Sequence, residues 1–117
     1  MTKLWRYEIP FVIIGGPIKA ESCPILGSQI DIPATLLGLL GYNHSEFLYS
    51  KDLLDEHSPR FAFFSFPDAM GMVTDSSAVM YDNTSGSVHM SEGKDPQQLL
   101  KQAQAYLQKL YDDLDKR

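Results

Sequence analysis

The chain has 117 residues, 44% of them hydrophobic and 21% charged, with a formal net charge of −5. That is one ordinary domain with a globular balance, able to bury roughly 65% of its unfolded surface in a real core, which excludes a disordered tail. No Lys/Arg cluster appears and Cys23 is the single cysteine, which excludes a phosphate-tracking nucleic-acid surface, an internal disulfide and a Cys-rich zinc site.

The start, Met1-Thr2-Lys3-Leu4-Trp5-Arg6, has no apolar stretch after its basic residues. It therefore does not read as a signal peptide. Apolar runs such as Pro10 to Ile14 fall far short of the roughly 20 residues a membrane span needs. The chain as written reads as soluble. Phe11-Val12-Ile13-Ile14 is short, β-branched and bounded by Ile9-Pro10 and Gly15-Gly16-Pro17. An apolar run without alternation, closed by breakers, predicts a strand buried on both faces, as in the interior of an α/β sheet. No second parallel strand lies nearby, so its neighbours are expected outside this chain.

Lys19 to Gly27 reads as a loop. Next comes GSQIDIPATLLGLLGY, residues 27–42. Asp31 suits a helix N-cap, Pro33 suits the first turn, and Gly41 suits the position just past the end. With Ile32, Leu36, Leu37, Leu39 and Leu40 between them, the stretch predicts a helix over about 32–40, buried on most sides. Phe47 to Leu54 reads as a loop with a short turn, and His57-Ser58-Pro59 as a break. Four candidate strands follow at tight spacing: Arg60 to Phe66, Met70 to Thr74, Ala78 to Tyr81, and Ser87 to Met90. That spacing predicts an antiparallel meander. Asp95-Pro96-Gln97-Gln98 is a helix start, with Asp as N-cap, Pro at N1 and Gln at N3. Leu99, Leu100, Ala103, Tyr106, Leu107, Leu110, Tyr111 and Leu114 continue it as an amphipathic helix to the C-terminus. The expected class is α+β, as part of an α/β parent. A buried strand and short helix (1–58) precede a small antiparallel sheet of three to four strands covered by a long terminal helix (59–117), all within one domain.

Few residues suggest chemistry. His44, His57 and His89 have no second His or Cys at ligand spacing. Gly15-Gly16 lacks the third glycine and the following helix of a dinucleotide site, and reads as a strand-ending turn. Asp52, Asp55 and Glu56 lack calcium-loop spacing and read as a solvated face. The aromatic stretch 61–66 reads as sheet core rather than a stacking platform, because no basic residues interleave it. There is no G-x-S-x-G elbow. Asp31 remains the best single candidate for a catalytic carboxylate, yet capping accounts for it in full. No second carboxylate or metal ligand lies close to it in sequence.

Ile9-Pro10-Phe11-Val12-Ile13-Ile14-Gly15-Gly16, a short loop, then Ser28-Gln29-Ile30-Asp31-Ile32-Pro33-Ala34-Thr35-Leu36-Leu37-Gly38-Leu39-Leu40-Gly41 resembles the C-terminal part of the sulfatase family, within the alkaline phosphatase superfamily. The nearest likeness is to the bacterial lipoteichoic-acid-synthase and phosphoglycerol-transferase branch. Ala34-Thr35 stands where many members have Pro-Thr. Phe47 to Leu54 is similar to a later family element, and Tyr81-Asp82 with the turn to Gly86 resembles its terminal sheet. The resemblance covers residues 7 to 90.

The resemblance implies a nucleophilic Thr, Ser or formylglycine near the start of the parent domain. It also implies a divalent metal (Mn, Mg, Ca or Zn) held by acidic residues and an Asp-His pair. No Asp-His dipeptide occurs here, and Cys23-Pro24 lacks the spacing and the Arg of a formylglycine motif. No catalytic, cofactor-binding or metal residue carries over, so this chain alone is expected to be inactive. It is expected to be the C-terminal structural portion of a sulfuric or phosphoric ester hydrolase or transferase. The parent is expected to be extracytoplasmic, anchored in the bacterial inner membrane. The expected partners are the rest of the parent domain, or a second copy through an exposed sheet edge. Neither nucleic acid nor a membrane span is expected in this chain. The competing expectation is a non-catalytic, free-standing α+β interaction module using the Phe-rich strand or the terminal helix.

Overall fold

The computed structural model describes residues 8–16 and 18–116. A single turn of 3-10 helix, Gln29–Asp31, leads into helix α1, Ile32–Leu39. Strands β1 (Phe61–Ser65), β2 (Ala69–Thr74), β3 (Ser77–Asp82) and β4 (Val88–Gly93) follow, then helix α2, Pro96–Asp115. The sheet is a four-stranded meander in the order β1-β2-β3-β4, antiparallel throughout. This is the α+β arrangement with a long terminal helix that the spacing implied.

Register sorts the strand residues onto two faces. Phe63 stands opposite Met72, and Met72 opposite Val79. Together with Met70 they form a core closed by Leu99 and Ala103 of α2, with Phe61, Tyr81, Tyr106 and Leu107 around it. On the other face Ala78, Met80 and Met90 cluster with Phe64 and Val73. Both faces are apolar because alternation places Phe64, Met80 and Val73 opposite the helix side. Gly71 is paired with Phe64, and the Phe64 ring lies where a Gly71 Cβ would stand. The missing side chain is what lets that ring lie flat on the sheet.

The turns follow local chemistry. Thr74 Oγ1 accepts the Ser77 N–H at 3.1 Å and tightens the β2–β3 hairpin. A bulge at Met80/Tyr81 precedes the wider β3–β4 turn, and β4 runs on to Gly93. Gly93 has φ +89°, and a Cβ there would meet the Ser76 carbonyl oxygen. Asp95 caps α2 by accepting the Gln98 N–H at 3.2 Å, as the sequence implied.

Two expectations fail in the first half of the chain. Phe11 to Ile14 is neither a strand nor buried: it has no regular structure, with Val12 73% and Ile14 90% exposed. A strand needs a neighbour to satisfy its backbone, and no strand among the described residues pairs with it. Likewise α1 is not buried on most sides. Ala34 and Thr35 are buried, whereas Leu36, Leu39 and Leu40 are exposed. The helix is fastened to a loop by its first turn and is not laid on the sheet.

Leu99 is 3% exposed and joins α2 to the sheet. Leu99→Ala is expected to lower unfolding stability by about 2–5 kcal/mol, through lost burial and a residual cavity. Gly71→Ala should lower it by about 1–3 kcal/mol by displacing the Phe64 ring. Urea denaturation followed by circular dichroism measures both.

Candidate functional site

Asp31 is the residue to which the local structure points, and its side chain is fully buried. It stands at the N-cap position of α1 that the sequence suggested, but its carboxylate is used elsewhere. The preceding 3-10 turn makes Asp31 itself helical, at φ −83° and ψ −8°, and its side chain caps no first-turn N–H. Side chains on a helix lean toward its N-terminus, so the carboxylate reaches backward and sideways. Oδ2 accepts the Ser28 backbone N–H at 2.8 Å and the Lys51 ammonium at 2.8 Å. Oδ1 accepts the Lys51 backbone N–H at 3.0 Å. The Ala34 N–H in the first turn of α1 is taken instead by Ser50 Oγ at 3.0 Å.

The surroundings extend this pin. Lys51 Nζ lies 4.0 Å from the centroid of the Phe61 ring, a cation–π contact that partly replaces its lost hydration. Thr35 Oγ1 donates to the Asp31 carbonyl at 2.7 Å and accepts the Leu53 N–H at 3.0 Å. Ser28 Oγ accepts the Phe63 N–H at 2.8 Å and donates to the Phe63 carbonyl at 2.9 Å. It thereby satisfies part of the open edge of β1. Tyr106 of α2 packs on Phe63 with centroids 4.5 Å apart, and edge-on against Tyr49 and Phe61. Burial, and then the negative charge of Asp31, push the Tyr106 hydroxyl pKa above its ordinary 10.0. Tyr49 donates to Asp113 Oδ2 at 2.7 Å. Residues 28–53 are thus fixed to β1 and α2 chiefly through polar pins and stacked rings.

This geometry can hold structure and cannot reach a substrate. The Asp31 oxygens accept three hydrogen bonds, one from an ammonium, and no carboxylate surface is left for a metal or an incoming proton. The other sequence candidates do not converge on it. His44 and His57 sit in loops, and His57 lies 3.8 Å from Glu56 with both side chains exposed. His89, on β4, faces Asp82 at 3.2 Å. The Ser85 N–H, the His89 ring and the Thr84 N–H lower the Asp82 pKa from 3.8 to about 2. Asp52 and Asp55 each accept an N–H two residues on, from Leu54 and His57, so they stabilise turns. Gly15 and Gly16 have φ +111° and +62° and make a bend. Cys23 is free and exposed. Of the stretch 61–66, Phe61 and Phe63 pack toward α2 and Phe64 packs on the opposite face. Among the described residues, no group of three or more His, Cys, Asp or Glu is placed to hold a metal ion. No helix among them is long and apolar enough to cross a membrane.

The roles of Lys51 and Ser28 escaped the sequence reading, which placed Tyr106 only on the apolar stripe of α2. Lys51 lies 20 positions from Asp31, in a loop without periodicity, so only the fold reveals the pair. No protein-family model matches the chain, and no curated protein or solved structure does.

Two expected outcomes test the pin. Removing one partner of a buried ion pair strands the other charge, so Lys51→Met and Asp31→Asn should each lower stability by about 3–5 kcal/mol. The double variant should recover part of that loss, and a denaturation cycle measures the coupling. Tyr106 gives an alkaline signature. Its folded pKa is raised, so above pH 10 the unfolded chain ionises first, and stability falls as pH rises through that range. Tyr106→Phe should flatten this limb in thermal melts.

Proposed function

We propose that this chain is the C-terminal structural portion of a metal-dependent sulfatase or phosphoglycerol transferase acting on sulfate or phosphate esters. The nucleophile and the metal ligands would lie elsewhere in the parent protein. In such an enzyme the nucleophile attacks the ester, and a divalent metal supplies the stabilisation of developing charge. The residues of this chain hold shape: Asp31, Lys51 and Ser28 fix the segment that carries α1 against the sheet.

The single observation that carries the reading is the uncovered apolar surface of the first half. Phe11, Val12, Ile14, Leu39, Leu40 and Leu48 are all exposed. Scattered apolar residues on a surface are ordinary, but a run of this kind marks an interface. An extended, unpaired Phe11 to Ile14 segment suits a strand whose neighbours come from the rest of a parent sheet. The resemblance of Ser28 to Gly41 to the sulfatase family supplies the identity of that parent. An extracytoplasmic, membrane-anchored parent, with the rest of its catalytic domain as the main partner, belongs to the same proposal.

The reading against it is a free-standing interaction module. It is favoured by one fact, that β1–β4 and α2 enclose a core of their own. An antibody to residues 96–115, used on extracts of the source cell, separates the two. A polypeptide much longer than 117 residues is the expected product. A product of this length alone would overturn the parent-enzyme reading. The isolated chain is also expected to leave p-nitrophenyl sulfate and p-nitrophenyl phosphate uncleaved with Mn²⁺ or Zn²⁺ present, and to self-associate in light scattering. Metal-dependent turnover by the chain alone would likewise count against the proposal.

A further inference from the structure

Residues 28–53 are knit together by polar bonds and laid against the outer edge of the sheet at β1. We propose that this unit is a latch, which opens as one piece while β1–β4 and α2 stay folded and so uncovers the β1 edge.

Two sets of contacts divide the molecule. Inside the unit, the Asp31 carboxylate accepts from the Ser28 N–H and from both the backbone and the side-chain nitrogen of Lys51. Ser50 Oγ accepts the Ala34 N–H, and Thr35 Oγ1 accepts the Leu53 N–H. These bonds tie 28–35 to 50–53, so neither part can leave alone without stranding a buried charge or an N–H. The contacts from the unit to the body are of another kind. Ser28 Oγ holds the N–H and the C=O of Phe63, and the Lys51 ammonium rests on the Phe61 ring. Tyr49 stands edge-on to Tyr106 and donates to the Lys109 carbonyl at 3.2 Å and to Asp113. Among the described residues, both apolar clusters of the sheet are built from position 61 onward. Opening the latch therefore takes no side chain out of either cluster. Local opening is cheapest where few buried apolar contacts are lost, and that condition is met at the seam between this unit and the body.

The seam lies at a place with a structural consequence. β1 is an outer strand of the sheet, and Ser28 stands in for a missing neighbour at Phe63. With the latch open, that N–H and C=O are free to pair with an added strand. All of these contacts lie within this chain, so the inference stands whether or not a parent enzyme exists.

Amide hydrogen exchange of the full chain, followed residue by residue by NMR, tests it. The Lys51, Leu53 and Phe63 amides are bonded to Asp31, Thr35 and Ser28. They should exchange through one shared opening, faster by about tenfold or more than the amides of Met72 and Val79 on the inner strands. Tyr49→Phe removes the hydroxyl bonds to α2. It should speed all three severalfold, although none of them bonds to Tyr49, and leave Met72 and Val79 unchanged. Ser28→Ala should do the same for Lys51 and Leu53. Exchange of all five amides at one common rate would overturn the proposal. So would Lys51 and Leu53 amides that respond to neither substitution, or an acceleration that reaches Met72 and Val79 equally.

Discussion

Everything in the first half of the molecule hangs on the carboxylate of Asp31. Its side chain is wholly inaccessible, and a buried charge costs several kcal/mol in lost hydration. That cost is offset only because three donors converge on it: the Lys51 ammonium and the backbone N–H groups of Ser28 and Lys51. The arrangement stabilises little compared with an apolar core of equal volume, but it is selective. Two loops distant in sequence satisfy the charge in one relative position and no other. Ser28 then reaches the β1 edge at Phe63, and Lys51 reaches the ring of Phe61. One charge thereby sets the position of α1 relative to the sheet.

The second half needs no such device. Period-two alternation supplies two apolar faces, and α2 covers one of them with Leu99, Ala103 and the rings and leucines along its stripe. The constraint here is steric. Phe64 can lie across the sheet only because position 71 is glycine, and the chain can enter α2 only because Gly93 passes close over the Ser76 carbonyl. The two halves meet at Tyr106. It packs on Phe63 and Phe61 of the sheet, and on Tyr49 from the loop. Its raised pKa reports the same burial that makes it the meeting point, and the closeness of the Asp31 charge beneath it.

Legibility in the sequence divides along the same line. The meander and α2 were readable because their signals are local: alternation, tight turn spacing, and Asp95-Pro96 ahead of a helical stripe. Strand ends moved by a residue or more, most of all at β4, where a bulge and Gly93 let pairing continue. The first half was less readable. Phe11 to Ile14 has the composition of a buried strand, but burial depends on a neighbour that residue pattern cannot provide. Asp31 took the N-cap position its pattern indicated, but its carboxylate bonds back to Ser28 and across to Lys51 and caps no first-turn N–H of α1. Its true partner, Lys51, lay in a loop with no periodic signal. Long-range polar pairs are hidden for this reason, since nothing in the spacing of either residue requires the other.

That division bears on how an apolar segment stays ordered while facing outward. Had α1 been attached through its leucines, those leucines would be spent in this chain's own core. Attachment through Asp31, Lys51, Ser50 and Thr35 uses only side chains near the first turn of the helix and the loop opposite it. Leu36, Leu39 and Leu40 are left uncovered on the remainder. Gly38 extends the same logic, because a Cβ there would fall on the Asp52 carboxylate, so close approach of helix and loop depends on its absence. Polar fastening on one side is therefore the condition for apolar display on the other. A segment built in this way keeps its leucines facing outward, and its buried carboxylate is taken up by the fastening.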